Sequence, residues 1–545
     1  MQQSLSPSAH EDTFARDHLP PAEQWPKIRF DLPELAYPDR LNCAAELLDA
    51  TIARFGADRL CVRGEDESWT YGELRGRVDA AARVLVEEYG VRPGNRVLLR
   101  GPNAPWLAVY WLAILKAGGV VVTVLPMLRS GELATILRAA RVSHAVCEVR
   151  SAADLETAAD ATAADLGART VIARYGGGEP GDLVHRAAAS PGAFAAVATA
   201  ADDVALIAFT SGTTGRPKGC MHFHRDVLAI ADTFSAHVLR PEPDDVFAGS
   251  PPFAFTFGLG GLLIFPMRAG AATLLLEKAG PERLARAIDA DGATVVFTAP
   301  TAYRAMLAHA GTHDLARARR CVSAGEHLPA RVWRAWFDAT GVRIIDGIGA
   351  TEMLHIFVSA ADDAIRPGAT GVAVPGFTAD VLAADGSPMP DGEPGLLAVR
   401  GPVGCRYLAD DRQRDYVRHG WNITGDTYVR DADGYLWYRS RSDDMIISAG
   451  YNIAAMEVEE VLARAPEVEE VAVVGVADED RGQIVKAFVV LTDGTEQSDA
   501  TAQHLKDFVK AEVAPYKTPR AVEFLAALPR TETGKLQRYK LRETG

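Results

Sequence analysis

The sequence has few cysteines, and their spacing is not that of a zinc or redox site. The six cysteines of the 545-residue chain, at positions 43, 61, 147, 220, 321 and 405, include no C-x-x-C pair. Zinc ribbons and thioredoxin-type sites need such pairs, and scattered cysteines are typical of a reducing compartment. The first 26 residues lack the apolar segment of a secretory signal. We therefore expect a cytoplasmic protein.

Positive charge is in the minority. Lysine and arginine total 57 against 72 aspartate and glutamate residues, so the formal net charge is −15. A nucleic-acid-binding protein usually presents a basic face, and we expect no nucleic-acid partner. Small anionic ligands are not excluded, because a few local cations and backbone N–H groups are enough to bind them.

An uninterrupted apolar helix is missing as well. Residues 246–267 carry no formal charge over 22 positions, which is nominally long enough to cross a bilayer. The stretch contains four glycines and three prolines, and a lone helix with so many breakers would expose backbone groups to lipid. We expect no membrane span, but a buried loop and helix beside a ligand pocket.

What the sequence does contain, from about residue 41, is the pattern of an α/β protein. β-Branched runs alternate with helices, which favours a parallel sheet with crossover helices. Residues 1–40 are polar and proline-rich and are expected to form a surface arm. The loops after predicted strands are where open α/β sheets bind ligands. The predicted strands are 96–99, 119–124, 142–149, 170–173, 203–209, 294–297 and 342–345.

The composition changes near residue 440. A charged stretch over 439–444 is followed by about 100 residues with their own pattern. The chain is therefore divided into an N-terminal domain, 1–442, and a small α+β domain, 443–545. The small domain is predicted to contain helices 455–465 and 500–512 and strands 471–476 and 485–491.

A glycine- and threonine-rich loop follows the predicted strand 203–209. Glycines let backbone N–H groups approach an anion, hydroxyls donate to phosphate oxygens, and lysine adds charge. The spacing is not that of a Walker A motif, because only two residues separate Gly212 from Gly215. A mobile surface loop is the alternative. The predicted phosphate-binding residues are Thr210, Ser211, Gly212, Thr213, Thr214, Gly215 and Lys218.

This loop resembles, residue for residue, the phosphate loop of the adenylate-forming superfamily of CoA ligases, adenylation domains and luciferases. The resemblance covers nearly the whole chain, because further segments look like the family's motifs in the same order. It implies a large N-terminal domain of mostly parallel sheets with a distorted barrel, and a small mobile C-terminal domain. The matching segments are Trp69–Leu74, Ser323–Leu328, Gly349–Glu352, Gly420–Trp421, Thr424–Asp426, Arg441–Asp444 and Pro529–Lys535.

The resemblance implies an ATP-dependent reaction in which a carboxylate is joined to AMP and the thiol of CoA then displaces AMP. Both partners of the first step are anionic, so catalysis would depend on charge neutralisation and positioning. Thr351 would bind the α-phosphate, Glu352 would hold Mg²⁺, and Lys535 would bridge the carboxylate and the α-phosphate. Taken singly, Glu352 or Lys535 could be an ordinary exposed charge.

The resemblance also assigns residues to the rest of the nucleotide and to the acceptor. Asp443 would be a hinge about which the small domain turns. The domain would offer Lys535 in the first half-reaction and then the face with Gly450, where a glycine leaves room for the pantetheine arm. Gly450 could otherwise be a turn glycine. The implied adenine and ribose contacts are Gly325, Glu326, His327, Asp346, Gly347, Ile348, Asp426 and Arg441.

Two histidines close to the phosphate loop have more than one interpretation. His222 and His224 form an H-x-H pair, which can bind zinc, but no third and fourth ligands are evident nearby. The resemblance places the pair beside or beneath the site instead.

The acid-binding wall is predicted around two segments, 253–258 and 353–357. Aromatic and aliphatic side chains around one histidine suit a flat apolar ring that bears a carboxylate, although a plain aromatic core is the alternative. Residues 346–357 look like the benzoate-CoA ligase subfamily, and segments 30–35, 41–43 and 406–410 look most like 2-aminobenzoate-CoA ligases. The predicted acid pocket is Phe255, Thr256, Phe257, Gly349, His355 and Ile356.

Two positions depart from the family pattern, and several functions remain open. Ile348 stands where many relatives have an adenine-stacking aromatic, and Ala455 where many have proline. An aryl-CoA ligase acting on 2-aminobenzoate, salicylate or benzoate is the preferred interpretation, as a monomer or homodimer. A stand-alone adenylating enzyme that loads a carrier protein is the second. A luciferase and a non-catalytic nucleotide-binding scaffold are the others.

Overall fold

The computed structural model describes residues 5–179, 181–211, 217–441, 445–529 and 538–543. Within these ranges the chain forms two large sheets built mainly of parallel strands, one antiparallel sheet, and a separate small sheet at the C-terminal end. The predicted α/β class is confirmed, with parallel sheets preceding a small α+β unit.

The first sheet has a parallel centre that is buried on both faces. All residues of Arg96–Arg100 are buried, as expected for a strand covered by helices on either side. The last pair is antiparallel, and its second strand, Pro217–Phe223, is not among the predicted ones. In spatial order the strands are Val171–Tyr175, His144–Glu148, Arg96–Arg100, Val120–Val124, Val204–Ser211 and Pro217–Phe223.

The second sheet is parallel in its centre and antiparallel at both ends. It contains the predicted strands 294–297 and 342–345, with their ends shifted by one to four residues. In spatial order the strands are Val372–Ala373, Ile356–Ser359, Ile344–Gly349, Arg320–Ser323, Val295–Thr298, Val246–Gly249, Ala272–Leu274, Leu60–Arg63 and Ser68–Thr70.

The two remaining sheets follow along the chain. The third is antiparallel, with strands Thr378–Leu382, Pro394–Arg400, Trp421–Arg430, Val417–Arg418 and Leu436–Arg441. The fourth forms the C-terminal unit together with helices Ala455–Leu462, Asp499–Glu512 and Arg538–Glu543. Its strands are Tyr451–Ala454, Met445–Ser448, Gly482–Leu491, Val468–Asp478 and Ala521–Phe524.

Two long helices of the N-terminal part begin at side-chain caps. Asn42 accepts the N–H of Ala44, and Thr70 and Glu73 form a reciprocal capping box. The α-helices are Phe14–Asp17, Cys43–Phe55, Tyr71–Glu87, Pro105–Lys116, Ser130–Ala139, Ala152–Leu166, Leu183–Ala189, His224–Ile230, Thr256–Leu259, Phe265–Ala269, Pro281–Asp289, Pro300–Met306, Ala330–Thr340 and Gln413–Tyr416.

The uncharged stretch 246–267 is broken into short pieces, as its glycines and prolines predict. It contains strand Val246–Gly249, helix Thr256–Leu259, a π-helical segment Gly260–Ile264 and the start of helix Phe265–Ala269. A second π-helical segment covers Ala231–Leu239. Among the described residues, no helix has the length and apolar character needed to cross a membrane.

The N-terminal arm forms hydrogen bonds with the first and the third sheet. Asp203, at the start of a strand of the first sheet, accepts hydrogen bonds from Ser8 Oγ and Ala9 N. Further along the arm, Lys27 N donates to Gly420 O and Arg29 N donates to Gly401 O, which connects the arm to the third sheet. The arm also buries Ala15 and Leu35 in the core.

Candidate active site

The predicted site residues lie at the carboxyl ends of strands from both large sheets. Strand Val204–Ser211 leads into the glycine- and threonine-rich loop, and strand Ile344–Gly349 leads into the 3₁₀ turn Thr351–Met353. Strand Arg320–Ser323 precedes the turn that contains Gly325, Glu326 and His327. Loops at such strand ends are free to present polar groups to a ligand, which is why the site forms here.

The structure describes the two strands that flank the phosphate loop. Thr210 pairs with Lys218 and Ser211 with Pro217 in an antiparallel ladder. Lys218 Nζ donates to the Tyr407 hydroxyl at 2.9 Å and lies 3.8 Å from Glu352 Oε1. The predicted contacts Gly212, Thr213, Thr214 and Gly215, and the side chain of Ser211, lie outside the described residues.

Tyr407 joins the lysine to the carboxylate. Its hydroxyl donates to Glu352 Oε1 and accepts from Lys218 Nζ. Burial, and then the Glu352 carboxylate, raise the pKa of Tyr407, so the phenol stays protonated and remains a donor. Tyr407 is not among the predicted site residues, because its partner Glu352 is 55 residues away in sequence.

The two histidines after the loop face different neighbours. His222 Nε2 lies 2.8 Å from the carbonyl oxygen of Thr351, and so supports the turn that holds Thr351 and Glu352. His224 Nδ1 lies 3.2 Å from Cys43 N and 3.1 Å from Cys43 Sγ, beneath the site. Within the described ranges, no three His, Cys, Asp or Glu side chains are arranged to hold a metal ion.

The predicted adenine residues come from the turn after strand Arg320–Ser323 and from strand Ile344–Gly349. His327 stacks against Tyr438, with ring centroids 5.4 Å apart and planes inclined at 23°. Asp346, Gly347 and Ile348 follow one another in strand Ile344–Gly349. Burial raises the pKa of Asp346 well above its usual range.

Two neighbouring strands carry the predicted ribose residues. Asp426 pairs in register with Arg441, which brings these two predicted residues together although 15 positions separate them in sequence. The side chain of Arg441 lies outside the described residues, as do Asp443 and Lys535.

All six predicted acid-pocket residues line one cavity of about 240 Å³. We call it the acid cavity; its walls include Phe255, Thr256, Phe257, Gly349, His355 and Ile356. At Gly349 a Cβ would lie 2.8 Å from the carbonyl oxygen of His355, so a larger residue there requires the chain to shift. Thr351 lies on the rim of the cavity, next to Glu352.

His355 is the histidine of this wall, and it sits among aromatic rings. The centroids of Phe265, Phe234, Phe257 and Phe297 lie 4.5, 5.3, 5.7 and 6.3 Å from the imidazole. Within the described part of the chain neither ring nitrogen has a hydrogen-bond partner. Burial lowers the pKa of His355 to about 3, against a smaller opposing effect of the Phe257 backbone. The imidazole is therefore neutral at physiological pH.

The C-terminal unit closes the acid cavity with the segment Ala449–Tyr451. Gly450, at φ +82°, donates its N–H to Glu326 Oε1 at 2.6 Å. Tyr451 meets Phe255 edge to face, with centroids 5.7 Å apart, and stacks on Tyr516 at 4.3 Å. The face of the unit that carries Gly450 is thus turned toward the predicted site.

A second, larger space separates the two units. This interface cavity, of about 920 Å³, shares Phe255 and Thr351 with the acid cavity. At its edge Lys517 bridges Glu132 of the N-terminal part, at 2.5 Å, and Glu457 of its own unit. Ala514 N also donates to Glu132 at 3.0 Å, so this cluster fastens the units together.

Comparison with known proteins agrees with this geometry. The AMP-binding enzyme family matches residues 48–407, and its C-terminal domain matches residues 457–535. The benzoate–CoA ligase of Thauera aromatica is 33% identical over 94% of this chain and 97% of its own.

Two solved structures show the same likeness. The anthranilate CoA ligase AuaEII, in complex with anthranoyl-AMP, is 32% identical, with a TM-score of 0.72 over 94% of this chain and 99% of its own. The amide bond synthetase McbA of Marinactinospora thermotolerans is 28% identical, with a TM-score of 0.80 over 92% and 99%.

The fold and these comparisons place the chain in a class of enzymes that have an N-terminal α/β region and a smaller C-terminal domain. The chain belongs to the AMP-binding enzyme family, the adenylate-forming superfamily whose motifs its sequence carries.

Proposed function

We propose that this enzyme is an ATP-dependent aryl-CoA ligase that activates a small aromatic carboxylate, with 2-aminobenzoate ahead of salicylate and benzoate. The observation that carries the proposal is the acid cavity, which is lined by aromatic side chains and one neutral histidine and opens at Thr351 beside Glu352 and Lys218. Benzoate– and anthranilate–CoA ligases among its relatives support the same class of acid.

The reaction has two steps. In the first, a carboxylate oxygen attacks the α-phosphorus of ATP; an acyl-adenylate forms and pyrophosphate leaves. In the second, the thiol of CoA loses its proton to solvent and its sulfur attacks the acyl carbonyl carbon; a thioester forms, and AMP leaves with the bonding electron pair. The first step brings two anions together, so neutralising charge is the main task of the site.

The residues around Thr351 are suited to that task. We assign the α-phosphate to Thr351 and the β- and γ-phosphates to Lys218 and the loop 210–215. Glu352 is a single buried carboxylate held by Tyr407 next to Lys218, which fits Mg²⁺, an ion that binds few protein carboxylates together with phosphate oxygens. When bound, Mg²⁺ would supply further positive charge to the phosphates.

The remaining assignments follow the motifs. Adenine is assigned to the turn 325–327 and strand 346–348, and ribose to Asp426 and Arg441. Lys535 is assigned to the adenylation step and Asp443 to the hinge between domains 1–442 and 443–545. The six free, buried cysteines are compatible with a cytoplasmic location, which belongs to the same proposal.

The acceptor is proposed to be free CoA, entering beside Gly450. Among the described residues, a Cβ at this position would approach the Cβ of Ala299 alone, at 3.7 Å, so glycine leaves the adjoining space open. A carrier-protein thiol is the alternative acceptor. The likeness to an amide bond synthetase makes an amine a third acceptor to include in the test.

The proposal is tested with a panel of acids in two assays. Pyrophosphate release is measured with ATP, Mg²⁺ and benzoate, 2-aminobenzoate, salicylate, 4-hydroxybenzoate or a long-chain fatty acid. Thioester formation is then measured with CoA and with a phosphopantetheinylated carrier protein, and amide formation with an amine in place of the thiol. We expect the highest kcat/KM with 2-aminobenzoate and CoA. Efficient use of the fatty acid, with all benzoates ignored, would contradict the assignment of the acid.

A further inference from the structure

Gly260 packs directly against the imidazole of His355 but does not line the acid cavity. Gly260 begins the π-helical segment Gly260–Ile264 and is fully enclosed. A Cβ at this position would lie 2.4 Å from His355 Cδ2 and 2.8 Å from Nε2, closer than side-chain carbons approach other heavy atoms. The imidazole therefore occupies the space that a side chain at position 260 would need.

The other neighbours of the imidazole leave it few directions of movement. Phe234 belongs to the π-helical segment Ala231–Leu239, and Phe265 directly follows Gly260–Ile264. Together with Phe257 and Phe297 they surround the ring in a densely packed core, which yields little to an extra atom. The open volume next to His355 is the acid cavity, so a ring displaced by a larger residue 260 moves into that cavity.

We propose that Gly260 determines which acids this enzyme accepts. By lacking a side chain it lets His355 sit back from the acid cavity, which leaves space for a ring that bears a substituent. Gly260 acts through His355 and is a positioning residue. The inference rests on the proposed aryl-acid function and extends it to a residue outside the cavity wall.

The backbone at this position does not itself require glycine. Gly260 has φ −62° and ψ −56°, which is ordinary right-handed helical conformation. Alanine is at least as favourable as glycine in such a backbone. A defect of Gly260→Ala is therefore attributable to the new methyl group and what it meets, rather than to backbone strain.

The experiment is a double-mutant cycle of Gly260→Ala and His355→Ala, with kcat/KM measured for benzoate and 2-aminobenzoate in the presence of ATP, Mg²⁺ and CoA. In the wild-type background, Gly260→Ala is expected to lower kcat/KM for 2-aminobenzoate about tenfold more than for benzoate. In the His355→Ala background the same substitution should change the ratio of the two acids less than about twofold, because the clash is gone. An equal change of the ratio in both backgrounds overturns the inference.

Gly261→Ala is the matched control. It adds the same methyl group one residue later, where its Cβ would lie 2.4 Å from Phe297 Cδ1 instead of from His355. We expect it to lower kcat/KM for both acids together and to leave their ratio unchanged. A shift of the ratio as large as that of Gly260→Ala would mean that crowding anywhere in this helix alters the choice of acid, and the role given to Gly260 would be wrong.

Thermal unfolding provides a readout that does not depend on the substrate. If Gly260→Ala folds poorly, the double variant must unfold at a higher temperature than Gly260→Ala, because removing the imidazole makes room for the methyl group. A double variant no more stable than Gly260→Ala overturns the inference. A wild-type enzyme that ignores both aromatic acids contradicts the proposed function instead, and the coupling of positions 260 and 355 in thermal unfolding remains measurable in that case.

Discussion

The backbone N–H of Gly450 donates to the Glu326 carboxylate at 2.6 Å, across the boundary between the N-terminal part and the C-terminal unit. Glu326 belongs to the turn assigned to adenine, and Gly450 to the wall of the acid cavity. Burial raises the pKa of Glu326 from its ordinary value of 4.5 to about 7, although the Gly450 N–H acts in the opposite direction. The contact that docks the unit thus includes a carboxyl group that titrates near neutral pH.

This contact predicts a pH dependence of docking. A carboxyl group whose pKa is higher in the docked state takes up a proton on docking. Its favourable contribution to the free energy of docking is fully present below about pH 4.5 and is lost as the pH rises through about 7. The thioester-forming step, which we assign to this orientation, should therefore weaken over that range. Glu326→Gln keeps an oxygen that accepts from Gly450 and should remove this part of the pH dependence.

The measurement is the rate of thioester formation from preformed acyl-adenylate between pH 6 and 8. It is expressed as the ratio of wild type to Glu326→Gln, so that ionisation of the CoA thiol cancels. We expect the ratio to fall as the pH rises. A ratio that stays constant from pH 6 to 8 would exclude Glu326 as the titrating group.

The Tyr407 hydroxyl predicts a second effect. Tyr407→Phe removes the hydroxyl that donates to Glu352 and accepts from Lys218. The buried carboxylate then lacks that hydrogen bond. A hydrogen bond to a charged group is worth about 1.5–3 kcal/mol, so the rate of adenylation should fall by roughly ten- to a hundredfold. Pyrophosphate release at saturating acid measures this loss.

Tyr416→Phe is the control for that substitution. The Tyr416 ring packs against Tyr407 with centroids 5.9 Å apart, and in the part of the chain described its buried hydroxyl has no hydrogen-bond partner. Removing this hydroxyl should leave adenylation within about twofold of wild type. Equal losses in both variants would show that the effect does not come from the hydrogen bonds of the Tyr407 hydroxyl.

Much of this site could be predicted from the sequence because its residues follow strands. The six predicted residues of the acid cavity come from two short segments, 255–257 and 349–356, each placed by a nearby strand. Local hydrophobic patterning predicts strand 342–345, although strand Val246–Gly249 is not among the predicted ones, and the carboxyl ends of parallel strands meet at one edge. The resemblance to the family's motifs then indicates which residues face a ligand there.

Residues that act through distant partners could not be predicted in this way. The Tyr407–Glu352 and Lys517–Glu132 contacts join residues 55 and 385 positions apart, and pattern along the chain carries no information on such pairs. Strand Pro217–Phe223 was missed because it begins with proline, which is tolerated at the first position of an edge strand but weakens a strand prediction. Gly260 is one of several glycines in its segment, and only its distance to His355 distinguishes it.

The role assigned to Lys535 predicts that its loss affects the two half-reactions differently. Its charge is useful while the anhydride forms, so Lys535→Ala should lower pyrophosphate release by roughly 10²–10³-fold and leave thioester formation from preformed acyl-adenylate nearly unchanged. Lys510→Ala, at an exposed position of the same domain, is the control for a simple loss of one positive charge. Equal losses in both half-reactions of Lys535→Ala would rule out the role assigned to this lysine.

His355 carries the last prediction, which concerns the ortho substituent of the acid. An amino or hydroxyl group that is buried without a partner costs about 1–3 kcal/mol, and a neutral imidazole can both donate and accept a hydrogen bond. Because its ring nitrogens have no partner among the described residues, His355 is available to pair with such a group. His355→Ala should therefore reduce the preference for 2-aminobenzoate over benzoate by roughly five- to a hundredfold in kcat/KM. The pKa of about 3 means that the imidazole stays neutral, so the preference of the wild type should not change between pH 6 and 8. If the wild type uses benzoate and both ortho-substituted acids equally well, the cavity tolerates the substituent without recognising it, and His355 serves only to fill the wall.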